Sequence, residues 1–200
     1  MPYEYRKLSP EERKAILEER KEKGYPFHAP PHPFREEGTY FITAANYEHQ
    51  KILRTPDRLT EFESLLLQNF QNVGAEIVAW VILPNHYHIL LAIEKFEIIS
   101  AVLQELHGST SFRWNKEDGL TGKRKVWYRF SDRMIRNENH LQRAFNYIHY
   151  NPVKHGFVDD VYNWRWSSLL LYEDEKGKDW LRENWQRHKP SAEYGKGWDD

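Results

Sequence analysis

The segment LPNHYHILL, residues 83–91, carries two histidines on either side of one bulky residue, within a run that has the composition of a β-strand. Alternate side chains of a strand point to the same face, so His86 and His88 are expected to project together. Two imidazoles on one side of a metal ion leave its other side open, as a catalytic metal requires. The segment therefore predicts a metal site, although such pairs also occur on strands that face only solvent.

The composition excludes several classes of protein. The 200 residues suit one domain with additions at its ends, and the net charge of −1 provides no overall field that would attract nucleic acid or a membrane. A local basic groove remains compatible with that charge. The chain has no cysteine, which excludes disulfides, thiolate zinc sites and a cysteine nucleophile. It has neither a signal-peptide pattern nor a run of about 20 apolar residues. We therefore expect a cytoplasmic protein with no membrane segment.

Hydrophobic periodicity predicts alternating strands and helices through the middle of the chain. Strands are expected at 39–45, 76–83, 86–93 and 126–130, and helices at 57–72, 97–114 and 139–150. The order βαββαβ of the first six elements is that of a ferredoxin-like α+β sandwich, to which the last helix is added. Pro84 and Asn85 provide the turn of a hairpin. Asp57 or Thr60 is expected to cap the first helix, and Phe112 is expected to face the core from the second.

The predicted domain covers residues 38–172, and the segments on either side of it differ in composition. Residues 1–37 are predicted to hold a charged helix, begun by a capping box of Ser9 and Glu12, and then a proline-rich connector. Residues 173–200 are predicted to form a charged C-terminal tail.

The last predicted helix of the domain carries polar residues beside its apolar stripe. The members of that stripe are Leu141, Ala144, Phe145 and Ile148. At about 100° per residue, Tyr147 and Asn151 lie one turn apart on one flank, where a helix packed on a sheet leaves a groove. Tyr150 is expected on the solvent side. Because the residue before a proline avoids helical geometry, Pro152 is expected to end the helix at about Asn151.

These polar residues and the histidine pair together predict one site. His86, His88 and Asn151 would give a metal ion three ligands and leave positions for a phosphate oxygen, with Tyr147 as the nucleophile. A phenol has a pKa of about 10 and therefore needs activation, yet no general base is evident in the sequence. Taken singly, Tyr147 is more simply a half-buried aromatic residue and Asn151 a helix-ending residue. Their coincidence with the histidine pair favours the site.

Two segments resemble a known family. PNHYHILL, residues 84–91, resembles the HUH motif of the single-tyrosine HUH transposases, with Tyr87 at the middle position as a bulky residue with a polar tip. NYIHYNPVKHGFV, residues 146–158, resembles the tyrosine helix of the REP-associated tyrosine transposase branch and is the more specific of the two. Further features similar to the branch are Trp127, Asp132 and the segment Trp166-Ser167-Ser168. The resemblance covers about residues 38–172.

The resemblance implies an α+β, ferredoxin-like HUH fold that cuts and rejoins single-stranded DNA near hairpins or palindromic repeats, with Mg²⁺ or Mn²⁺ as the cofactor. By the same resemblance, His86, His88 and Asn151 hold the metal ion. Tyr147 attacks the scissile phosphate and leaves a 5′-phosphotyrosine link and a free 3′-OH. Ligand softness alone would favour Zn²⁺ or Mn²⁺ for two imidazoles. Both monomers and homodimers occur among such relatives, so the resemblance leaves the oligomeric state open.

Basic residues near the predicted fourth strand are candidates for DNA binding. They are Lys123, Arg124, Lys125, Arg129, Arg133 and Arg136. Together they would form a track for phosphates, and the alternative is a solvated basic loop. Two other functions fit the same residues. One is a nucleic-acid-binding protein of the same fold that performs no chemistry. The other is a metal-dependent hydrolase in which water attacks and Tyr147 is structural.

Overall fold

A computed structural model describes residues 9, 11, 12, 18, 37–120, 122–191, 194 and 195. Its strands and helices follow one another in the order β1 (Gly38–Ala45), α1 (Pro56–Asn72), β2 (Glu76–Ile82), β3 (His86–Ile93), α2 (Phe96–Glu117), β4 (Ser131–Met134), α3 (Glu138–Lys154), α4 (Leu169–Lys176) and α5 (Lys178–Arg187). None of the described helices is long and apolar enough to cross a membrane.

The sheet has four antiparallel strands in the order β2-β3-β1-β4. Two helices, α1 and α2, connect β1 to β2 and β3 to β4, which confirms the predicted ferredoxin-like α+β fold. The hairpin of β2 and β3 was also predicted, and its turn lies at Pro84 and Asn85. Strand β3 is central, and in its register with β1 Thr43 lies opposite His88 and Ala45 lies opposite His86.

Each face of the sheet has its own hydrophobic core. Alternate residues of β3, among them Tyr87 and Ile89, join the core made with α1 and α2. Leu90 joins the opposite core, which includes Phe145 and Ile148 of α3. Because side chains alternate along a strand, His86 and His88 share the face that α3 covers. The sheet thus directs the histidine pair toward the helix that carries Tyr147.

Two details predicted for the first helices are wrong. Helix α1 is capped by Thr55, whose Oγ1 accepts a hydrogen bond from the Arg58 backbone N at 3.3 Å, and not by Asp57 or Thr60. Pro56 occupies the first turn, where its missing N–H costs nothing, and this fixes the start of the helix. Phe112 is 66% exposed, because the buried side of α2 runs through Thr110 and Trp114 and leaves residue 112 on the opposite side.

The fourth strand was predicted at 126–130 and is found at Ser131–Met134. Trp127 makes only an isolated bridge to Asn46, and its ring packs 5.0 Å from the ring of Phe62. The apolar side chains of Val126 and Trp127 therefore serve the core and not a strand pairing. Strand β4 is a short edge strand of polar and exposed residues, which periodicity does not detect.

The end of helix α3 also differs from the prediction. The helix continues through Asn151 and Pro152 to Lys154. A proline removes one backbone donor, but the ladder resumes after it, since the backbone N of His155 bonds to the Asn151 carbonyl at 3.0 Å. Tyr150 is 39% exposed, on the solvent side as predicted. The continuation places Lys154 on the same helix as Tyr147, two turns further along.

The C-terminal part of the chain packs on α3. The boundary proposed at residues 172 and 173 falls inside α4, and α5 follows at once. Asn146 of α3 and Asn184 of α5 bond through their side-chain amides at 3.1 Å. At the other end, Ser9 and Glu12 form the reciprocal bonds of the predicted capping box, at 2.7 and 3.2 Å. The proline-rich connector lies outside the described residues.

Candidate metal and tyrosine site

The two histidines of β3 are fully buried, and their rings lie 5.1 Å apart. His86 Nδ1 is hydrogen-bonded to Asn85 Oδ1 at 2.9 Å, and His88 Nδ1 to Thr43 Oγ1 at 2.8 Å. A proton on His86 Nδ1, donated to the Asn85 amide oxygen, would leave the lone pair of Nε2 to a metal ion. Hydrogen bonds to Nδ1 of this kind fix the ring of a metal-binding histidine and raise its basicity.

Helix α3 lies across these histidines. Asn151 is fully buried, and its Oδ1 lies 3.0 Å from His86 Nε2. Tyr147 is 2% exposed, and its ring lies 5.6 Å from that of His88 and 6.1 Å from that of Phe41. The structure thus brings together all four residues that the sequence predicts for the site.

The donor set suits a divalent metal ion. His86 Nε2 and Asn151 Oδ1 lie 3.0 Å apart, a separation that suits two neighbouring ligands of one metal ion at about 2.1 Å from each. Within the described part of the chain, Asn151 Nδ2 has no hydrogen-bond partner although it is buried. The residues that the structure describes include no group of three His, Cys, Asp or Glu side chains that could hold a metal ion. A third protein ligand among these residues would therefore be of another type, and the Asn151 amide, which contacts His86, is the candidate.

Tyr87, between the two histidines, points into the opposite core. Its hydroxyl is hydrogen-bonded to His107 Nε2 at 2.9 Å, and the His107 ring stacks on Trp127 at 4.5 Å. Burial lowers the pKa of His107 to about 3, so this histidine is neutral. The polar tip of Tyr87 thus has a partner on α2, and the bond anchors the strand that carries the two histidines.

Lys154 contacts the Tyr147 phenol, and this contact was not predicted from the sequence. Its Nζ donates a hydrogen bond to Tyr147 Oη at 2.7 Å and lies 4.7 Å from the centre of the ring. A separation of seven residues places two side chains on one helical face, and this spacing was the available signal. The contact was not predicted because the helix was expected to end at Asn151, before Lys154.

A segment near the C-terminus covers the same phenol. The Tyr194 ring lies 5.3 Å from that of Tyr147, and Gly195 is buried beside it with a φ of +84°. The backbone approaches so closely that a Cβ atom on Gly195 would overlap Tyr147 Oη. Only glycine fits both this φ and this approach. The predicted charged tail therefore includes residues that close the site.

Comparisons with known proteins identify the family of this chain. The family model described as "Transposase IS200 like" matches residues 38–151, more than half of the chain. The chain belongs to this family. It is 30% identical over 140 residues to the REP-associated tyrosine transposase of Escherichia coli (strain K12), which covers 66% of this chain and 76% of that protein. It is 32% identical over 146 residues to a Haemophilus influenzae (strain ATCC 51907 / DSM 11121 / KW20 / Rd) protein named "Putative REP-associated tyrosine transposase", covering 68% and 82%.

A solved structure places the chain in the REP-associated branch of the IS200-like transposases as well. The structure of a REP-associated tyrosine transposase bound to a REP hairpin superposes with a TM-score of 0.58 and 25% identity, over 74% of this chain and 87% of that one. The chain is therefore a DNA-processing protein of the transposase class. The family match includes His86, His88, Tyr147 and Asn151, whereas Lys154 and Gly195 lie beyond its last residue.

The six basic residues predicted to bind DNA are in different environments. Arg124 forms an ion pair with Asp118 at 2.8 Å and a hydrogen bond to Asn115, and Lys125 lies over the ring of Tyr47. All members of the set except Arg124 are exposed. A track along these residues stays a prediction.

Arg133 is the member of that set nearest to the tyrosine. It pairs with Phe41 across the sheet, on the face that carries Tyr147. Burial lowers the pKa of Arg133, while the nearby phenols of Tyr194 and Tyr147 act against that shift. One of the six predicted DNA contacts therefore lies at the site itself.

Replacing Thr43 with valine is expected to weaken binding of a divalent metal ion about 10–100-fold, the usual effect of losing a partner that orients a ligand. The variant removes the hydroxyl that holds His88 Nδ1 and keeps a β-branched residue suited to a strand. Calorimetric titration with Mn²⁺ measures the change. Thr39→Val, on the same face of β1, is the control. Equal affinity of Thr43→Val and the unmodified chain would contradict the role of this bond.

Proposed function

We propose that the chain is a metal-dependent single-stranded DNA endonuclease and strand transferase that uses Tyr147 as its nucleophile. One observation carries the proposal: the Tyr147 phenol, the His86–His88 pair and the Asn151 amide meet in one buried cluster. The histidines lie on a strand and the other two residues on a helix, and His88 and Tyr147 are 59 positions apart in the sequence. Membership of the IS200-like transposases supports the same chemistry.

His86, His88 and Asn151 would hold the metal ion, Mg²⁺ or Mn²⁺. A divalent ion bound there polarises the scissile phosphate and neutralises its charge. The chain contributes fixed ligands, since Asn85 and Thr43 orient the two imidazoles and α3 positions the amide. Amide oxygen and imidazole nitrogen together suit Mn²⁺ better than Mg²⁺, so stronger activity with Mn²⁺ is expected.

Tyr147 would attack the phosphorus atom of the scissile phosphodiester. The bond from phosphorus to Oη forms and the bond to the 3′ oxygen breaks, which yields a 5′-phosphotyrosine and a free 3′-OH. The phenol gives up one proton and the departing 3′ oxygen takes one up, so the exchange of esters is balanced. Attack by a 3′-OH on the phosphotyrosine reverses the step and joins strands. Packing against Phe41 and His88 holds the ring for both directions.

The proposed substrate is single-stranded DNA next to a hairpin or a palindromic repeat. A similar structure holds a REP hairpin, and exposed basic side chains near β4 suit a phosphate backbone. Arg133, at the edge of the site, would contact the DNA close to the scissile phosphate.

The test uses an oligonucleotide with a single-stranded segment beside a hairpin, labelled in separate preparations at its 5′ or its 3′ end. With Mg²⁺ or Mn²⁺, and not with EDTA, the 3′-labelled strand should become covalently attached to the protein. The 5′-labelled strand should appear as a shorter free product with a 3′-OH. Cleavage without an adduct would identify a hydrolase that uses water. Attachment of the 5′-labelled fragment would contradict the proposed polarity.

One observation favours the second candidate, a protein that binds nucleic acid without cutting it. Gly195 covers the phenol, so an incoming phosphate meets backbone in place of a nucleophile. A chain that ends at Pro190 separates the two functions. If the shortened chain forms the adduct faster, the covering segment is what lowers the activity of the full chain. Tight DNA binding with no adduct from either chain, across metals and substrates, would establish the binding protein.

A further inference from the structure

Lys154 places a positive charge beside the Tyr147 oxygen, the atom that would react. It lies two helical turns after Tyr147, near the C-terminal end of α3, and its Nζ is 2.7 Å from Tyr147 Oη. The carbonyl end of a helix favours a cation. We propose that Lys154 is a catalytic residue that stabilises the negative charge on the Tyr147 oxygen, both when that oxygen attacks and when it leaves. This inference rests on the proposed function.

Such a charge answers a specific need of the chemistry. A phenol with a pKa of about 10 is almost entirely protonated at neutral pH, so attack requires help for the developing phenolate. In the reverse step the phenolate is the leaving group, and the same stabilisation is required. An ammonium group that donates a hydrogen bond to the oxygen supplies both a charge and a directed donor. Lys154 has this geometry before any substrate arrives.

The ammonium group keeps all three of its protons throughout. In the forward step the phenol proton passes to water, the bond from phosphorus to Oη forms, and the released 3′ oxygen takes a proton from water. In the reverse step each of these changes runs backward. Lys154 therefore acts through its charge and its hydrogen bond, and no step requires it to be neutral.

Arg133 is the second cation near the phenol. It approaches from β4, whereas Lys154 approaches along the helix that carries Tyr147. Lys154 Nζ donates a hydrogen bond to Oη at 2.7 Å, and for this reason the role is assigned to the lysine. An arginine on the sheet edge is better placed to meet the phosphate backbone, where its planar fork gives two parallel bonds.

A purely structural role would also keep Lys154 beside the ring, since an ammonium over an aromatic face is attractive on its own. The two roles differ in how they respond to the basicity of the phenolate. Charge stabilisation matters less when the leaving oxygen is a weaker base. If Lys154 only positions the ring, its effect on the rate does not depend on how basic the phenolate is.

The experiment uses the full chain and the labelled hairpin oligonucleotide. In Lys154→Met the rates of adduct formation and of rejoining should both fall about 100-fold, the usual effect of losing one donor to a developing oxyanion. Affinity for an uncleaved oligonucleotide should be unchanged. Lys154→Arg should restore most of both rates. Lys154→Gln provides a second neutral variant, and Lys176→Met, on α4, is the control for loss of one positive charge.

A second measurement separates charge from positioning. Tyr147→3,5-difluorotyrosine makes the phenolate a weaker base, and rejoining is measured from the isolated adduct in the presence and absence of Lys154. The rate penalty of Lys154→Met should become several-fold smaller with the fluorinated residue. An equal penalty with both phenols would show that Lys154 only positions the ring and would overturn the proposal.

These measurements distinguish the proposed function from the role of Lys154. Absence of an adduct from the unmodified chain would overturn the proposed function, and the role of Lys154 with it. Adduct formation by the unmodified chain at the same rate as by Lys154→Met and Lys154→Gln would overturn only the role of Lys154.

Discussion

A Tyr147→Phe variant is expected to form no covalent protein–DNA adduct. The loss should be on the order of 10⁴-fold or more, because the variant lacks the attacking oxygen and removal of a nucleophile has effects of this size. Strand joining should disappear with cleavage, since both directions pass through the same phosphotyrosine. Denaturing gels of the 3′-labelled oligonucleotide, with Mn²⁺ present, measure the adduct directly.

The fold should survive this substitution. Phenylalanine keeps the ring that packs against Phe41, His88 and Tyr194, and it loses the bond from Lys154. A hydrogen bond of this kind contributes about 0.5–1.5 kcal/mol to the free energy of unfolding, so thermal unfolding should shift by a few degrees. Tyr150→Phe is the matched control, with an exposed phenol on the same helix. Persistence of the adduct in Tyr147→Phe would remove Tyr147 from the mechanism.

A His88→Ala variant is expected to lose divalent metal binding, with affinity for Mn²⁺ reduced by at least about 100-fold. Loss of an orienting partner alone costs 10–100-fold, and loss of the ligand itself should exceed that. Adduct formation should fall to the level seen with EDTA, and excess Mn²⁺ should restore it only in part. Affinity for the hairpin should be retained, since the basic residues near β4 are unchanged.

The control for His88→Ala is His149→Ala. His149 is also buried, and it lies on α3, where its Nε2 is hydrogen-bonded to Ser168 Oγ at 2.7 Å. Burial lowers its pKa to about 3, so both substitutions remove a buried imidazole and both cost stability. Only the change at residue 88 should affect metal affinity. Equal Mn²⁺ affinity in His88→Ala and the unmodified chain would exclude this residue as a ligand.

The parts of the fold that the sequence predicts are those with strong periodicity. Residues 76–83 and 86–93 are rich in β-branched, aromatic and other apolar residues and are separated by one turn signal, so the β2–β3 hairpin could be located to within a residue. The fourth strand was misplaced because Val126 and Trp127 have strand-like side chains that fill the core instead. Strand β4 itself has the sequence SDRM, and its position follows from pairing with β1, which no local pattern reveals.

The candidate site also has parts that could be predicted from local sequence patterns and parts that could not. The site residues could be grouped from the sequence in two pairs. The two-residue period of a strand places His86 and His88 on one face, and the 3.6-residue period of a helix does the same for Tyr147 and Asn151. Lys154 was missed because Pro152 suggested a helix end, whereas the surrounding packing carries the helix one turn further. Gly195 could not be found at all. Its contact with Tyr147 joins positions 48 residues apart and depends on how the chain returns over α3.

The position of Gly195 makes occupancy of the site a competition. A scissile phosphate that reacts as proposed would require the space in front of Tyr147 Oη that the backbone at Gly195 occupies. Only the fraction of molecules in which the glycine has withdrawn can engage DNA at the tyrosine, and the apparent affinity there is reduced by that same fraction. DNA bound to basic residues elsewhere on the surface is not subject to this reduction. On the proposed function, a hairpin would therefore be held at full strength while the equilibrium of the segment at Tyr194 and Gly195 sets how often the strand beside it is exposed to the nucleophile.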